Sequence, residues 1–440
     1  MRSGALRWPI CNLQQTSDRP MKKILLLSFA LLSLGVSAQV NPVISGCFTN
    51  LPDTTSSIKI AFLKGNGLSV KSEFPIKNGC FSGAWEYAEQ GIFIAYIDGS
   101  HTFDFVVSDG DVVLEGDYNN IQETVRKGPG HDEFEAFKTL LSTGPKEDQI
   151  REYLLGMQDV GLKEFLLPQL LPLNPDTNVY WLRGHFWDYT NLESASTLIN
   201  PFFEKNRDLY FDQVLGHDPD TIISYLNALF AQPMEEDVKK VLISTATYKY
   251  ETSKYMGEDK VFVWLAQKFY NSGFADWMSK EDLGKIKEKS EGLATELIGN
   301  PARDFAFDTE DRGRIKLSEV QSPVTILYFW DSECGHCRKE TPRLKELYDE
   351  YKDKGVEVVA ITLENEFTGW KKYIEEHDLD WVNGFESNFD RPNFLWYYYI
   401  PSTPKKLILD AEKKIIAKNL DVETTMRTFL DDYLAGRVGQ

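Results

Sequence analysis

The sequence predicts a multidomain protein in three unlike parts: an N-terminal all-β sandwich or barrel, a middle all-α domain and a C-terminal α/β domain. Three observations carry this. From about Asn41 to Asp117, short β-rich runs follow one another with turn residues and no helical spacing between them. From about His131 to Gly299, apolar residues recur on one face of successive helices. From about Asn300, strand and helix patterns alternate, the order that builds an α/β sheet with helices on both faces. A chain of 440 residues has room for such units.

The start of the chain reads as a targeting signal displaced from residue 1. In MKKILLLSFALLSLGVSAQ, Met21 is followed by the basic pair Lys22 and Lys23 and by an apolar run from Ile24 to Leu34. That run is short for a membrane span. Val36, Ser37 and Ala38 supply the small residues of a cleavage site before Gln39. Residues 1–20 read as an over-extended or non-native start, and 21–38 as a cleaved signal peptide. The expected location of the mature chain is therefore the periplasm, as a soluble protein.

The boundaries that follow are 39–128 for the β domain, 129–298 for the helical domain and 299–440 for the α/β domain. In the first, VISGCFTN, SIKIAFLKG, LSVKSEFPI, CFSGAWEY, GIFIAYID, HTFDFVV and DVVLEGD read as strands, with Asp109-Gly110 as a hairpin turn between the last two. In the second, HDEFEAFKTLL, EDQIREYLLGM, NVYWLRGHFWDY, TIISYLNALF, DVKKVLISTATYKY and KVFVWLAQKFY read as amphipathic helices punctuated by Pro and Gly. In the third, VTILYFW and VEVVAITL are buried strands, each followed by a helix. KKLILD and KKIIAKN form a strand pair, and VETTMRTFLDDYL closes the chain as a helix.

The formal net charge of −19 argues against nucleic acid as a partner, because phosphate binding needs a basic face. Of five cysteines, Cys11 precedes the cleavage point, which leaves Cys47, Cys80, Cys334 and Cys337. An even count in an oxidising compartment suggests paired thiols. Cys47 and Cys80 both lie in Gly-Cys-Phe contexts on expected strands. They are a candidate structural disulfide, which would stabilise the β domain by roughly 3 kcal/mol; two separate buried thiols is the other reading.

Cys334 and Cys337 stand in FWDSECGHCRKETPRL, directly after a buried strand and at the start of a helix. The amides at a helix start favour thiolate over thiol. Cys337, one turn on, is placed to attack a disulfide formed at Cys334. His336 between them can add positive charge near the sulfurs. A zinc knuckle usually needs two such pairs. Covalent haem attachment needs His after the second Cys, where Arg338 stands. The spacing thus points to redox chemistry, with the dithiol itself as the reactive group and no metal or organic cofactor.

On these residues the segment resembles the active-site region of the thioredoxin fold. More narrowly, it is similar to the TlpA/ResA-like periplasmic thiol–disulfide oxidoreductases, from roughly Ile298 to the C-terminus. The likeness includes GNPARDFAF, RIKLSEV and IPSTPKKLILD. It implies that Cys334 is the attacking cysteine and Cys337 the resolving one. It places Trp330 beside the pair, Pro342 as the proline within the active-site helix, and Thr403-Pro404 as the cis-proline loop that meets substrate. It makes Glu340 a proton-transfer residue next to Cys337. The buried acid that thioredoxin keeps on the preceding strand falls here on Tyr328. The Gly-His dipeptide is that of protein disulfide isomerases, which sit at about −180 mV against about −270 mV for thioredoxin.

The expected activity is reduction of disulfides in exported proteins; the resemblance implies that the electrons come from a membrane-embedded thiol transporter. Oxidation or isomerisation of disulfides is the alternative. A binding module whose redox domain is secondary is a third reading. The aromatic segments WLRGHFWDY and FLWYYYIP read mainly as core, with a substrate-facing role open for the second because it precedes Thr403-Pro404.

Overall fold

Alternation of apolar residues along the N-terminal runs folds them as strands, and in the computed structural model they form two four-stranded sheets. The structure describes residues 41–64, 67–98, 100–172, 178–364, 366–387 and 397–438. The expected start and signal peptide lie outside them. The strands are β1 (Val43–Thr49), β2 (Ser57–Lys64), β3 (Gly67–Pro75), β4 (Cys80–Ala84), β5 (Gly91–Asp98), β6 (His101–Val107), β7 (Val112–Asp117) and β8 (Val125–Lys127). One sheet runs β4-β1-β7-β8 and the other β3-β2-β5-β6.

Asp109-Gly110 therefore does not close a hairpin. It carries the chain from β6 in one sheet to β7 in the other, where β7 pairs parallel with β1. Turn chemistry is local and does not say which sheet receives the next strand. The β region is also not a closed all-β body. Inward residues of both sheets, among them Ile44, Leu114, Ile60 and Phe105, share one core with Phe134, Phe137, Leu154 and Leu162 from the helices that follow.

Those helices are α1 (His131–Ser142), α2 (Glu147–Gly156), α3 (Val160–Leu166), α4 (Val179–His185), α5 (Pro201–Leu209), α6 (Pro219–Ala231), α7 (Glu236–Glu251), α8 (Asp259–Leu265) and α9 (Lys280–Ala294). Two of them, α5 and α8, pass into single π-turns, Tyr210–Val214 and Ala266–Tyr270. The chain divides into two compact units, one of Met1–Val214 with Phe230–Lys239, the other of Leu215–Leu229 with Lys240–Gln440. In the first, Phe186 and Trp187 of the aromatic segment are buried, whereas Trp181 stacks on the exposed His185.

The second unit contains β9 (Ala306–Thr309), β10 (Gly313–Lys316), β11 (Val324–Trp330), β12 (Val356–Thr362), β13 (Val382–Phe385), β14 (Lys405–Leu409) and β15 (Ile415–Lys418). Their order is β10-β9-β13-β12-β11-β14-β15. Helices α10 (Gly335–Tyr351), α11 (Phe367–Glu376) and α12 (Thr425–Leu434) follow in the same part of the chain. Every residue of β11 is buried, as its uninterrupted apolar run requires of a central strand covered on both faces. Alternate β11 residues enter two cores: Ile326, Tyr328 and Trp330 pack with Leu344, Leu347 and Trp370 from α10 and α11, and Leu327 and Phe329 pack with Phe305, Phe307 and Tyr398. β11 pairs parallel with β12 and antiparallel with β14. The sheet thus brings the C-terminal end of β11 beside the N-terminal end of β14, and the candidate site is built there.

Candidate active site

Cys334 is the N-cap of α10, with extended backbone, and its carbonyl accepts the first helical bond from the Arg338 amide at 3.0 Å. Its side chain is half-buried, whereas Cys337 is fully buried. Both are thiols in this structure. The Thr403–Pro404 bond is cis, and the Cys334 thiol donates to the Thr403 carbonyl at 3.6 Å. That contact spans 69 residues of sequence, and the pairing of β11 with β14 brings it about.

The two sulfurs differ electrostatically. Burial opposes ionisation of Cys334, but hydrogen bonding from the Thr403 side chain and from the backbone amides of Cys337 and His336 outweighs it and holds the thiol below its ordinary pKa. These amides belong to the first turn of α10, where unpaired N–H groups favour a negative charge. Burial pushes the Cys337 thiol up to about 12, against a smaller opposing effect of the Asp331 backbone. One sulfur is thus poised as a nucleophile, and the other is held protonated until something takes its proton.

The turn between β11 and α10 is pinned on several sides. Arg338 Nε donates to the Ser332 carbonyl at 2.6 Å, and the Ser332 amide donates to Glu364 at 2.5 Å. The Glu333 amide donates to the Asp331 carboxylate at 2.7 Å. Trp330 is fully buried, edge-on to Tyr373 with ring centroids 5.5 Å apart. It supports the turn from the core and presents no exposed face to a substrate. His336 is exposed, and its backbone amide rather than its ring acts on the Cys334 sulfur. Pro342 lies inside α10 and withholds one backbone donor there.

Glu340 is half-buried and forms an ion pair with Lys406, whose side chain is buried on β14. Lys406 stands opposite Tyr328 in register, and the Tyr328 hydroxyl meets Thr341 Oγ1 at 3.0 Å. The sequence reading missed Lys406. Its signal was two successive lysines opening the otherwise apolar run KKLILD; a lysine on a central strand is buried only with a partner. Of the aromatic segment before the loop, 394–396 lie outside the described residues. Tyr398 is core and donates its hydroxyl to the Arg303 carbonyl at 2.6 Å, while Tyr397 is exposed.

Cys47 and Cys80 lie elsewhere, in the other compact unit, as a disulfide between directly opposed residues of β1 and β4. They are not part of this site.

A CxxC pair at the start of a helix, with one low-pKa and one buried sulfur and a cis-proline loop against the first, defines a thioredoxin-like thiol–disulfide oxidoreductase domain. Comparison with known proteins agrees. The model of the AhpC/TSA family matches residues 298–430. The thiol-disulfide oxidoreductase ResA of Bacillus cereus is 26% identical over 137 residues, 31% of this chain and 76% of that protein. ResA of Oceanobacillus iheyensis is 35% identical over 86 residues, 19% of this chain and 45% of that protein. Among solved structures, a domain of a possible thiol-disulfide isomerase from Cytophaga hutchinsonii is 34% identical and covers 32% of this chain and 95% of that one, with a TM-score of 0.30. The C-terminal part of the chain is thus similar to the ResA thiol–disulfide oxidoreductases.

Proposed function

We propose that the protein is exported and reduces disulfides of periplasmic proteins through Cys334 and Cys337. The observation that carries this is the asymmetry of the pair: a half-buried sulfur of lowered pKa against the Thr403 carbonyl, and a fully buried one behind it. In the first step the Cys334 thiolate attacks a substrate disulfide. A bond forms between Cys334 and one substrate sulfur, and the other substrate sulfur leaves as a thiolate and takes a proton from solvent. In the second step Cys337 gives its proton to Glu340 and attacks the Cys334 sulfur. The Cys334–Cys337 disulfide forms, the second substrate sulfur leaves, and two electrons have passed to substrate. An external dithiol, for which a membrane thiol transporter is the proposed source, returns the pair to its reduced form. The chemistry asks for the two sulfurs and no other redox group. Export rests on the sequence of residues 21–38. Among the described residues no helix is long and apolar enough to cross a membrane.

Thr403 and Pro404 are proposed to meet the substrate chain, and Lys406 to hold Glu340 in place for the proton. The Gly-His dipeptide, shared with disulfide isomerases, keeps the opposite direction of electron flow as a second reading. The midpoint potential of the pair decides between them. A value near about −270 mV supports a reductase, and a value at or above about −180 mV supports oxidation or isomerisation. A pair that does not titrate reversibly overturns both and leaves the binding-module reading.

A further inference from the structure

Thr403 and Pro404 lie on a short loop whose two ends, Tyr399 and Lys405, are both held by one carboxylate. The Tyr399 amide donates to Glu296 Oε1 at 2.5 Å. Lys405 Nζ binds the other oxygen of Glu296 and also the Tyr399 carbonyl. Glu296 is 1% and Lys405 6% exposed, so this is a charge pair inside the protein. Around it the turn that ends α9 grips the same segment. Thr295 Oγ1 donates to the Tyr397 carbonyl at 3.1 Å, and Lys418 Nζ donates to the Glu296 carbonyl at 2.9 Å. Gly292 lies so close to Tyr399 that an added Cβ would stand 2.7 Å from the Tyr399 Cβ.

A buried ion pair is weak evidence for a stabilising role, since packed apolar residues often do as well. What it does supply is geometry. This one joins the two ends of the loop that carries Thr403, and it does so from a residue that precedes the matched stretch 298–430.

We propose that the turn Gly292–Glu296 is a positioning element for the oxidoreductase site, with Glu296 setting the Thr403-Pro404 loop at the height at which its backbone can meet a peptide next to a disulfide. The inference rests on the thiol–disulfide reading. It says that residues preceding the matched stretch 298–430 take part in recognising substrate, acting through the loop that also touches Cys334. Glu296 is a positioning residue, acting through Thr403, and is not a catalytic one.

The test uses the full mature chain and two disulfides as probes, a small aromatic disulfide and a peptide closed by one disulfide. The variants are Glu296→Gln, the double variant Glu296→Gln with Lys405→Met, and Gly292→Ala. The double variant leaves no unpaired buried charge, so it keeps the question answerable where the single one fails to fold. Gly292→Ala displaces Tyr399 without touching a charge. The expected result is a KM for the peptide raised on the order of tenfold with kcat little changed, and a much smaller loss with the small disulfide, which needs Thr403 only through its contact with Cys334. Variants that fold and match wild type with the peptide overturn the clamp. An equal loss with both probes also overturns it, because the sulfurs would then have been disturbed. Wild type inactive with both probes overturns the thiol–disulfide reading itself, a result distinct from either.

Discussion

The asymmetry of the two thiols fixes how the midpoint potential responds to pH, and pH is the perturbation that tests it most closely. In a two-electron couple, each proton taken up on reduction contributes about 30 mV per pH unit. Below the Cys334 pKa both sulfurs take a proton, so the potential falls by about 59 mV per unit. Above it Cys334 is reduced to a thiolate and only Cys337 takes a proton, which halves the slope to about 30 mV per unit. Because burial pushes Cys337 up to about 12, that half slope holds from the lowered Cys334 pKa through the whole alkaline range in which the protein is handled. At pH 7 Cys337 is then almost wholly protonated as well as buried, so an alkylating reagent meets Cys334 almost alone. The assay is alkylation in graded redox buffers at stepped pH, with the modified cysteine identified by mass. One break in slope, below the ordinary thiol pKa of about 8.5, is expected. A second break between about pH 8 and 10, or modification of Cys337 before Cys334, would refute the reasoning, since burial would not then be holding the second proton.

Replacing Lys406 with Met leaves the half-buried Glu340 without its ion-pair partner. We expect slower release of the mixed disulfide, a loss of stability of about 1–3 kcal/mol in denaturant titration, and recovery of both with Lys406→Arg. Replacing Cys47 and Cys80 by Ser opens a link across 33 residues of sequence. This should lower the stability of the first unit by about 3–4 kcal/mol on the chain-entropy relation, with the Cys334–Cys337 potential unchanged. His131 is buried, with Nε2 accepting the Val106 amide at 3.2 Å and Nδ1 facing the Gly128 carbonyl at 3.1 Å, an arrangement that needs the neutral ring. Burial lowers its pKa on folding. Its contribution is therefore complete above the unfolded value of about 6.5 and is lost as pH falls through the folded one. As pH falls below about 6.5, wild type should lose stability that His131→Gln does not, as read from denaturant midpoints.

Much of the fold is legible because it rests on short-range pattern. The seven N-terminal runs are strands at nearly the residues their alternation marks, and the uninterrupted run VTILYFW is a strand buried on both faces. β8, β9 and β13 escaped notice because strands of three or four residues, such as VRK, carry no period to detect. The parallel pairing of β1 with β7 and the sharing of helices between two units depend on contacts far apart in sequence, which no local pattern encodes. The same holds for the site. Cys334 and Cys337 announce themselves by spacing, whereas Lys405 and Lys406 look like an ordinary polar strand start. Their meaning appears only when Glu296 and Glu340, 109 and 66 residues away, are found against them.

The central claim is that Cys334 attacks a substrate disulfide and Cys337 resolves the product. The most direct measurement is to express the chain with Cys337→Ser and look for mixed disulfides on Cys334 by non-reducing electrophoresis and mass spectrometry. The account expects exported proteins joined to Cys334 through one sulfur, released by reductant and lost in the Cys334→Ser, Cys337→Ser double variant. A Cys337→Ser protein that carries no partner on Cys334, while wild type remains folded with both thiols reduced, would contradict it.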